Sequence, residues 1–140
     1  MKLSRTVAYA VQATLQLARS ESAEPVPCSR LAAAGQMPER FLLQILRNLV
    51  THGILRSTRG VDGGYSLVRP ADQISLLEVI EAIEGPFDTT QELGEGLPVT
   101  SQDKLRTAID QVTEVTRQQL EAIKLSQLLQ PPASDERAAS

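Results

Sequence analysis

Apolar and polar positions recur along most of this chain with the period of a helix. Val7, Ala10, Val11, Leu15 and Ala18 fall on one stripe, and Ser4 stands where a side-chain oxygen can cap the first turn, so the spacing predicts a helix over residues 5–19. The stretch Glu21 to Pro27 holds two prolines and reads as a loop. An Ala- and Leu-rich run predicts a short helix over Ser29 to Ala34, stopped by Gly35. Pro38 opens the next helix at a position where its missing N–H costs nothing, and Gly53 ends that helix after His52.

The Pro38 to His52 segment has two distinct faces. At about 100° per residue, Leu42, Ile45, Leu46 and Leu49 share one side, and Arg40, Gln44, Arg47 and Thr51 cluster on the other. Arg and Gln are side chains that make bidentate hydrogen bonds to guanine and adenine edges in a major groove, and Leu43 at the rim suits either the core or a thymine methyl. Charged faces of amphipathic helices are more often simply solvated. The segment after Gly53 shifts the balance. Ile54 to Thr58 and Tyr65 to Val68 read as two strands joined by Gly60-Val61-Asp62-Gly63-Gly64, a β-hairpin flanked by Arg56, Arg59 and Arg69. Its three glycines permit positive φ and a close approach of backbone to a partner. A short helix, a tight turn, an Arg-bearing helix and a basic hairpin together predict a mainly α fold: a winged helix-turn-helix with a two-stranded wing.

Beyond Pro70, Ser75 and Glu78 form a Ser-x-x-Glu capping box that opens a helix ending at Gly85-Pro86. Residues 87–99 show no usable periodicity. From Thr100 or Ser101 a long helix carries Leu105, Ala108, Ile109, Val112, Thr116, Leu120 and Ile123 on one stripe, with Leu125, Leu128 and Leu129 roughly opposite. A break near Lys124, with Ser126 capping a second short helix, lets both apolar sets face protein. The stripe from Leu105 to Ile123 is long for its own chain to cover, which predicts a homodimer seam, with packing against the first helix as the alternative. The expected organisation is thus a DNA-binding domain over 1–85, an acidic loop over 86–100, a dimerisation helix region over 101–130 and a disordered tail over 131–140.

Composition refines this picture. The chain of 140 residues is 41% apolar and carries a net charge of −3. That average conceals an asymmetry: residues 1–70 sum to +5, with eight Arg among nine cations, and residues 71–140 sum to −8. A basic half joined to an acidic half is the pattern of a chain that meets a polyanion on one side only. One Cys and one His leave a multi-ligand metal centre and a nucleophile–His catalytic set without parts, so an enzyme is not expected. Apolar runs are too short for a membrane span or a signal-peptide core, and the expected location is the cytoplasm.

The blocks Pro38-Glu39-Arg40-Phe41-Leu42-Leu43-Gln44-Ile45-Leu46, Ser57-Thr58-Arg59-Gly60-Val61-Asp62-Gly63-Gly64-Tyr65 and Ile74-Ser75-Leu76-Leu77-Glu78-Val79-Ile80 resemble the Rrf-two family of bacterial winged-helix transcription regulators. The Arg-Gly-x-x-Gly-Gly-Tyr wing followed by Leu-x-x-Val-Ile is the specific part. The resemblance implies a dimer joined by the long C-terminal helices, the Pro38 to His52 helix in the major groove and the wing over the minor groove. Position by position, Arg40, Leu43 and Gln44 match recognition-helix positions, and Arg59 matches the wing arginine that enters the minor groove. Arg47, Thr51, Arg56, Ser57 and Lys2 or Arg5 are expected on phosphates; Pro38, Thr58, Gly60, Gly63 and Tyr65 complete the residues assigned to the DNA face.

The departures are informative too. Members that sense iron, nitric oxide or redox state share a three-cysteine cluster between the capping-box helix and the long helix. Here that neighbourhood offers Glu92, Pro98, Lys104 and Thr107, and Ala8 and Gln12 stand where an acid or His ligand near the first helix is needed. No cofactor is therefore expected, and the chain resembles the cluster-free branch that controls cysteine metabolism through a partner protein or small effector. The loop Phe87 to Val99 is the expected point of effector action. Cys28, just before the second helix, is a candidate redox-sensing thiol if the helix N-terminus lowers its pKa; the plainer reading is an inert, part-buried side chain. The remaining alternative is a winged-helix protein-interaction module that does not bind DNA, whose outward helix face would be apolar or acidic instead of carrying Arg40, Gln44 and Arg47.

Overall fold

The structure, a computed structural model, describes residues 3–20, 24–86 and 96–129. Lys2, residues 87–95 of the acidic loop and the tail expected over 131–140 lie outside the described residues. The first helix, α1, spans Arg5–Arg19, and the Ser4 hydroxyl accepts from the Val7 N–H at 3.2 Å, the cap that its sequence predicts. The second, α2, spans Cys28–Gly35, so Gly35 is its last helical residue and not its stop. Gln12 donates to the Gly35 carbonyl at 3.1 Å, and the left-handed stop falls one residue later, on Gln36 (φ 54°). The third, α3, spans Glu39–Thr51 with Pro38 as its N-cap residue.

Three residues separate α3 from β1, Leu55–Thr58, which pairs antiparallel with β2, Gly64–Leu67, in the register Leu55 to Leu67 and Thr58 to Gly64. The segment read as a loop before α2 adds a third, one-residue strand. Val26 exchanges both backbone hydrogen bonds with Tyr65, at 2.9 and 2.8 Å. The helix α4, Leu76–Glu84, opens on the capping box as predicted: the Ser75 hydroxyl accepts from the Glu78 N–H at 3.1 Å and Glu78 Oε2 accepts from the Ser75 N–H at 2.8 Å.

The long helix, α5, spans Val99–Ala122, and α6 spans Leu125–Leu129. The break therefore falls where expected, but Ser126 lies inside α6 and does not cap it. The Lys124 N–H donates instead to Gln127 Oε1 at 3.2 Å. The residues of the break are held by the head of the molecule. The Leu76 N–H donates to the Ile123 carbonyl at 2.8 Å, and the Leu125 N–H to the Ile74 carbonyl at 3.0 Å, a two-bond bridge between chain segments about fifty residues apart.

One core runs through all of these elements. Ala10, Leu17, Leu31, Leu46, Leu49, Ile54, Ile74 and Val79 are buried together, and Leu125 of α6 is fully buried in the same cluster. A smaller cluster joins Val7, Leu77, Ile80 and Leu120, so the alternative in which the long helix packs on α1 holds at its C-terminal end only. Arg117 fastens the same end, its guanidinium 2.7 Å from Glu81. Further out, Val112 (65% exposed) and Val115 (57%) have no cover within the protomer. Among the described residues no helix is long and apolar enough to cross a membrane.

Leu125→Ala is expected to destabilise the head by about 2–5 kcal/mol, because it opens a cavity in the main core. Urea unfolding monitored by circular dichroism checks this. The capping box gives a second expectation. Partial burial pushes the Glu78 carboxyl up, but hydrogen bonds from Arg69 and the Ser75 N–H, with the Arg69 charge, outweigh it and hold the group below its ordinary value. Its contribution to stability is therefore present above the unfolded-state pKa of about 4.3 and lost as pH falls through the lower folded-state value. Thermal melts across that acid range should show a shallower pH dependence for Glu78→Gln than for the wild type.

Candidate nucleic-acid interface

The face of α3 that the sequence assigns to packing is fully inside: Leu42, Ile45, Leu46 and Leu49 are at most 1% exposed. On the opposite side Arg40, Gln44, Arg47 and Thr51 are all exposed, and Leu43 is half-buried at the rim, as its position on the helix implies. Thr51 is partly committed, since its hydroxyl donates to the Arg47 carbonyl at 3.0 Å. Pro38, at the N-cap, is exposed. Phe41 lies beside this face, half-exposed, and packs edge-on against Tyr9 with ring centroids 5.8 Å apart. Arg5, at the start of α1, is exposed as well.

In the wing, Arg56, Ser57, Thr58, Arg59 and Gly60 are all exposed. Arg40, Arg47, Arg56 and Arg59 have no ion-pair partner among the described residues. An unpaired guanidinium keeps its full fork of donors for an external carboxylate or phosphate. Arg69 differs from this set. It sits 2.6 Å from Glu78 Oε1 and donates to the Gln73 carbonyl at 2.7 Å, so it anchors the base of the wing to α4 and does not belong to a basic tip. The sequence counted it among the hairpin cations because its partner Glu78 lies nine residues on, across a turn.

The glycines of the turn serve the chain itself. A Cβ on Gly63 would lie 2.2 Å from the Thr58 carbonyl oxygen, and one on Gly64 would lie 2.3 Å from the Val26 carbonyl carbon. The close approach expected toward a partner is therefore, at these two positions, an approach to the wing's own backbone. Tyr65 is likewise half-buried and packed against the main core, which separates it from the exposed residues grouped with it in the sequence. One residue escaped sequence reasoning. Val61, between Gly60 and Asp62, is completely exposed, an apolar side chain held out at the apex of a basic hairpin. A β-branched residue inside a glycine-rich turn was the available signal.

The Cys28 thiol is half-buried at the start of α2 with its sulfur 3.6 Å from the Glu39 carbonyl, and burial, with the neighbouring Glu39 carboxylate, pushes its pKa up. A lowered pKa, the shift that favours a redox-sensing thiol, is not what these neighbours produce. His52, the C-cap of α3, donates from Nδ1 to the Asn48 carbonyl at 2.8 Å.

Comparison with known proteins places this geometry in context. Residues 3–131 match the model of the Rrf2 family, described as iron-dependent transcriptional regulators. A helix-turn-helix-type transcriptional regulator of Mycobacterium tuberculosis strain H37Rv is 43% identical over 96 residues, 69% of this chain and 60% of that protein. The regulator IscR of Cronobacter sakazakii is 34% identical over 96 residues, 69% of this chain and 59% of its own length. The match thus spans about 60% of the length of these curated relatives. Among solved structures, CymR, the global cysteine regulator of Bacillus subtilis, superposes with a TM-score of 0.71 at 26% identity, over 92% of this chain and 96% of that one. The IscR of T. potens gives 0.70 at 26% identity, over 92% and 86%.

The family description brings iron, and the donors of this chain do not fit a thiolate-bound iron centre. Cys28 is the single cysteine of the sequence, and a thiolate-bound cluster needs several. Among the described residues no group of three His, Cys, Asp or Glu side chains is placed to hold a metal ion. Of the positions where the resemblance implies ligands, Ala8, Gln12, Pro98, Lys104 and Thr107 are described and none is a thiol, imidazole or carboxylate.

Proposed function

Because this chain belongs to the Rrf2 family of transcriptional regulators, we propose that it is a sequence-specific DNA-binding regulator that works as a homodimer on a palindromic operator, without an iron–sulfur cluster. The observation that carries the reading is the state of the outward α3 face and the wing: four exposed guanidinium groups without internal ion-pair partners, on two elements joined by three residues. A protein-interaction module would present an apolar or acidic face there. In the proposed complex Arg40 and Gln44 read base edges in the major groove, with Leu43 at the rim. Arg47, Thr51, Arg56, Ser57 and Arg5 hold phosphates, and Arg59 enters a narrow minor groove with Thr58, Gly60 and Val61 against its walls. Tyr65 and Gly63 contribute by shaping the wing.

The uncovered stripe of α5 supports the dimer. A two-fold pair of these helices buries Val112, and the symmetry makes each operator half-site repeat about one helical turn away. The acidic second half then lies away from DNA and permits one docking orientation. A dimer seated on a promoter excludes polymerase from the DNA it covers, so the proposed action is repression, in the cytoplasm. A small molecule or a partner protein supplies the signal.

Two measurements test the reading. If six to ten phosphates are neutralised per dimer, affinity for a selected operator should fall by roughly 10³ to 10⁵ between 50 and 200 mM salt, and Arg59→Ala should weaken binding most on sites with A/T-rich flanks. A flat salt response in fluorescence anisotropy defeats the DNA-binding reading, and an equal loss on all flanks reduces Arg59 to a phosphate clamp. Val112→Glu should turn the dimer into a monomer in sedimentation equilibrium while the head stays folded.

A further inference from the structure

Between the C-terminal end of α1 and the base of the wing lies a cleft of about 460 Å³, a size within the range of small-molecule sites. Leu17, Val26, Leu67 and Ala71 give it an apolar lining. Two guanidinium groups also line it, in different states. That of Arg69 is neutralised by Glu78 and donates to the Gln73 carbonyl. That of Arg56, on β1, has no hydrogen-bond or ion-pair partner among the described residues.

Negative charge lines the same cleft. Glu24 is part of its wall, and so are Leu17, Ala18 and Ser20, where the last carbonyls of α1 carry the negative end of the helix dipole. Arg19, in the same turn, does not line the cleft. A simple carboxylate would meet Arg56 but be repelled by Glu24 and the helix end. A simple amine would have the reverse difficulty. A ligand bearing both charges on a short apolar body has a partner for each in the lining.

We propose that this cleft binds a free α-amino acid with a short apolar side chain, its carboxylate on Arg56, its ammonium toward Glu24 and the α1 carbonyls, and its side chain over Leu17 and Ala71. The proposed consequence rests on the DNA-binding reading above. Arg56 is among the residues assigned to phosphate, so a bound carboxylate withdraws its guanidinium from DNA, and by linkage amino acid and operator weaken each other's binding.

The test uses the full chain and L-norvaline, pentanoate and pentylamine as probes, each followed by ¹⁵N–¹H NMR titration without DNA. Norvaline should give saturable shifts confined to Leu17–Ser20, Arg56 and Ser66–Ala71, and pentanoate and pentylamine should each bind at least about tenfold more weakly. Glu24→Gln, a change at an exposed position, should bring norvaline down to the affinity of pentanoate and leave ligand-free operator binding unchanged. Norvaline should also lower operator affinity at least about threefold in the wild type and not in Glu24→Gln at the same concentration. No saturable shift with norvaline, shifts centred elsewhere, or equal binding of pentanoate each overturns the proposal. If the ligand-free chain fails to bind DNA, the regulator reading falls instead, and the NMR titration still decides the cleft.

Discussion

The head of this molecule is closed by its own C-terminal segment. Two backbone hydrogen bonds tie residues 123–125 to residues 74–76, and between them they set Leu125 into the core shared by the first four helices and the wing. Nearly everything else depends on that bridge. It fixes where α5 leaves the head, and the Arg117–Glu81 pair and the Val7–Leu120 contact fix the direction in which it leaves. These anchors sit at one end of a 24-residue helix, and further along it Val112 and Val115 are left largely exposed. A separate dimerisation region over 101–130 and a self-contained domain over 1–85 were the natural division of the sequence, yet α6 belongs physically to the head.

Much of this was legible in the residues, for identifiable reasons. The α1 boundaries came from an apolar stripe behind a capping Ser, although its buried face runs through Ala13, Thr14 and Leu17 while Val11, Leu15 and Ala18 are only half-buried; the α3 faces came from four leucine and isoleucine positions at helical spacing and hold as read. The capping box is a local signal and appears as written. The missed features are long-range. Val26 joins the wing through partners nearly forty residues away, and a one-residue strand has no period to detect. Arg69 looked like a wing cation because charge is visible in a sequence and the position of its neutralising carboxylate is not. Ser126 looked like a cap, but it lies inside α6, and the Lys124 N–H just before that helix donates to Gln127 Oε1.

Electrostatics divides the molecule along the same line as the fold. Cations without an ion-pair partner among the described residues include Arg40 and Arg47 on α3 and Arg56 and Arg59 in the wing, with others on α1, α2 and α5, and the two ion pairs seen there join elements to one another at the α4 side. Surface pairs of this kind contribute little to stability, but they remove charge from circulation. Arg69 and Arg117 are neutralised where they stand, and the α3 and wing arginines keep their donors for something outside the protomer. Cys28, the one thiol of the sequence, has its pKa pushed up by burial and, to a lesser degree, by the Glu39 carboxylate beside it.

The contact between Gly64 and Val26 sets a limit on modularity. The hairpin from Leu55 to Leu67 looks like a cassette that could be exchanged between regulators to alter which flanking DNA is preferred. Its second strand is pressed so closely against the Val26 backbone that a single methyl group on Gly64 has no room. A graft would have to carry the segment around Val26 along with the hairpin, so the heritable unit of wing specificity is two stretches of sequence that can only diverge together.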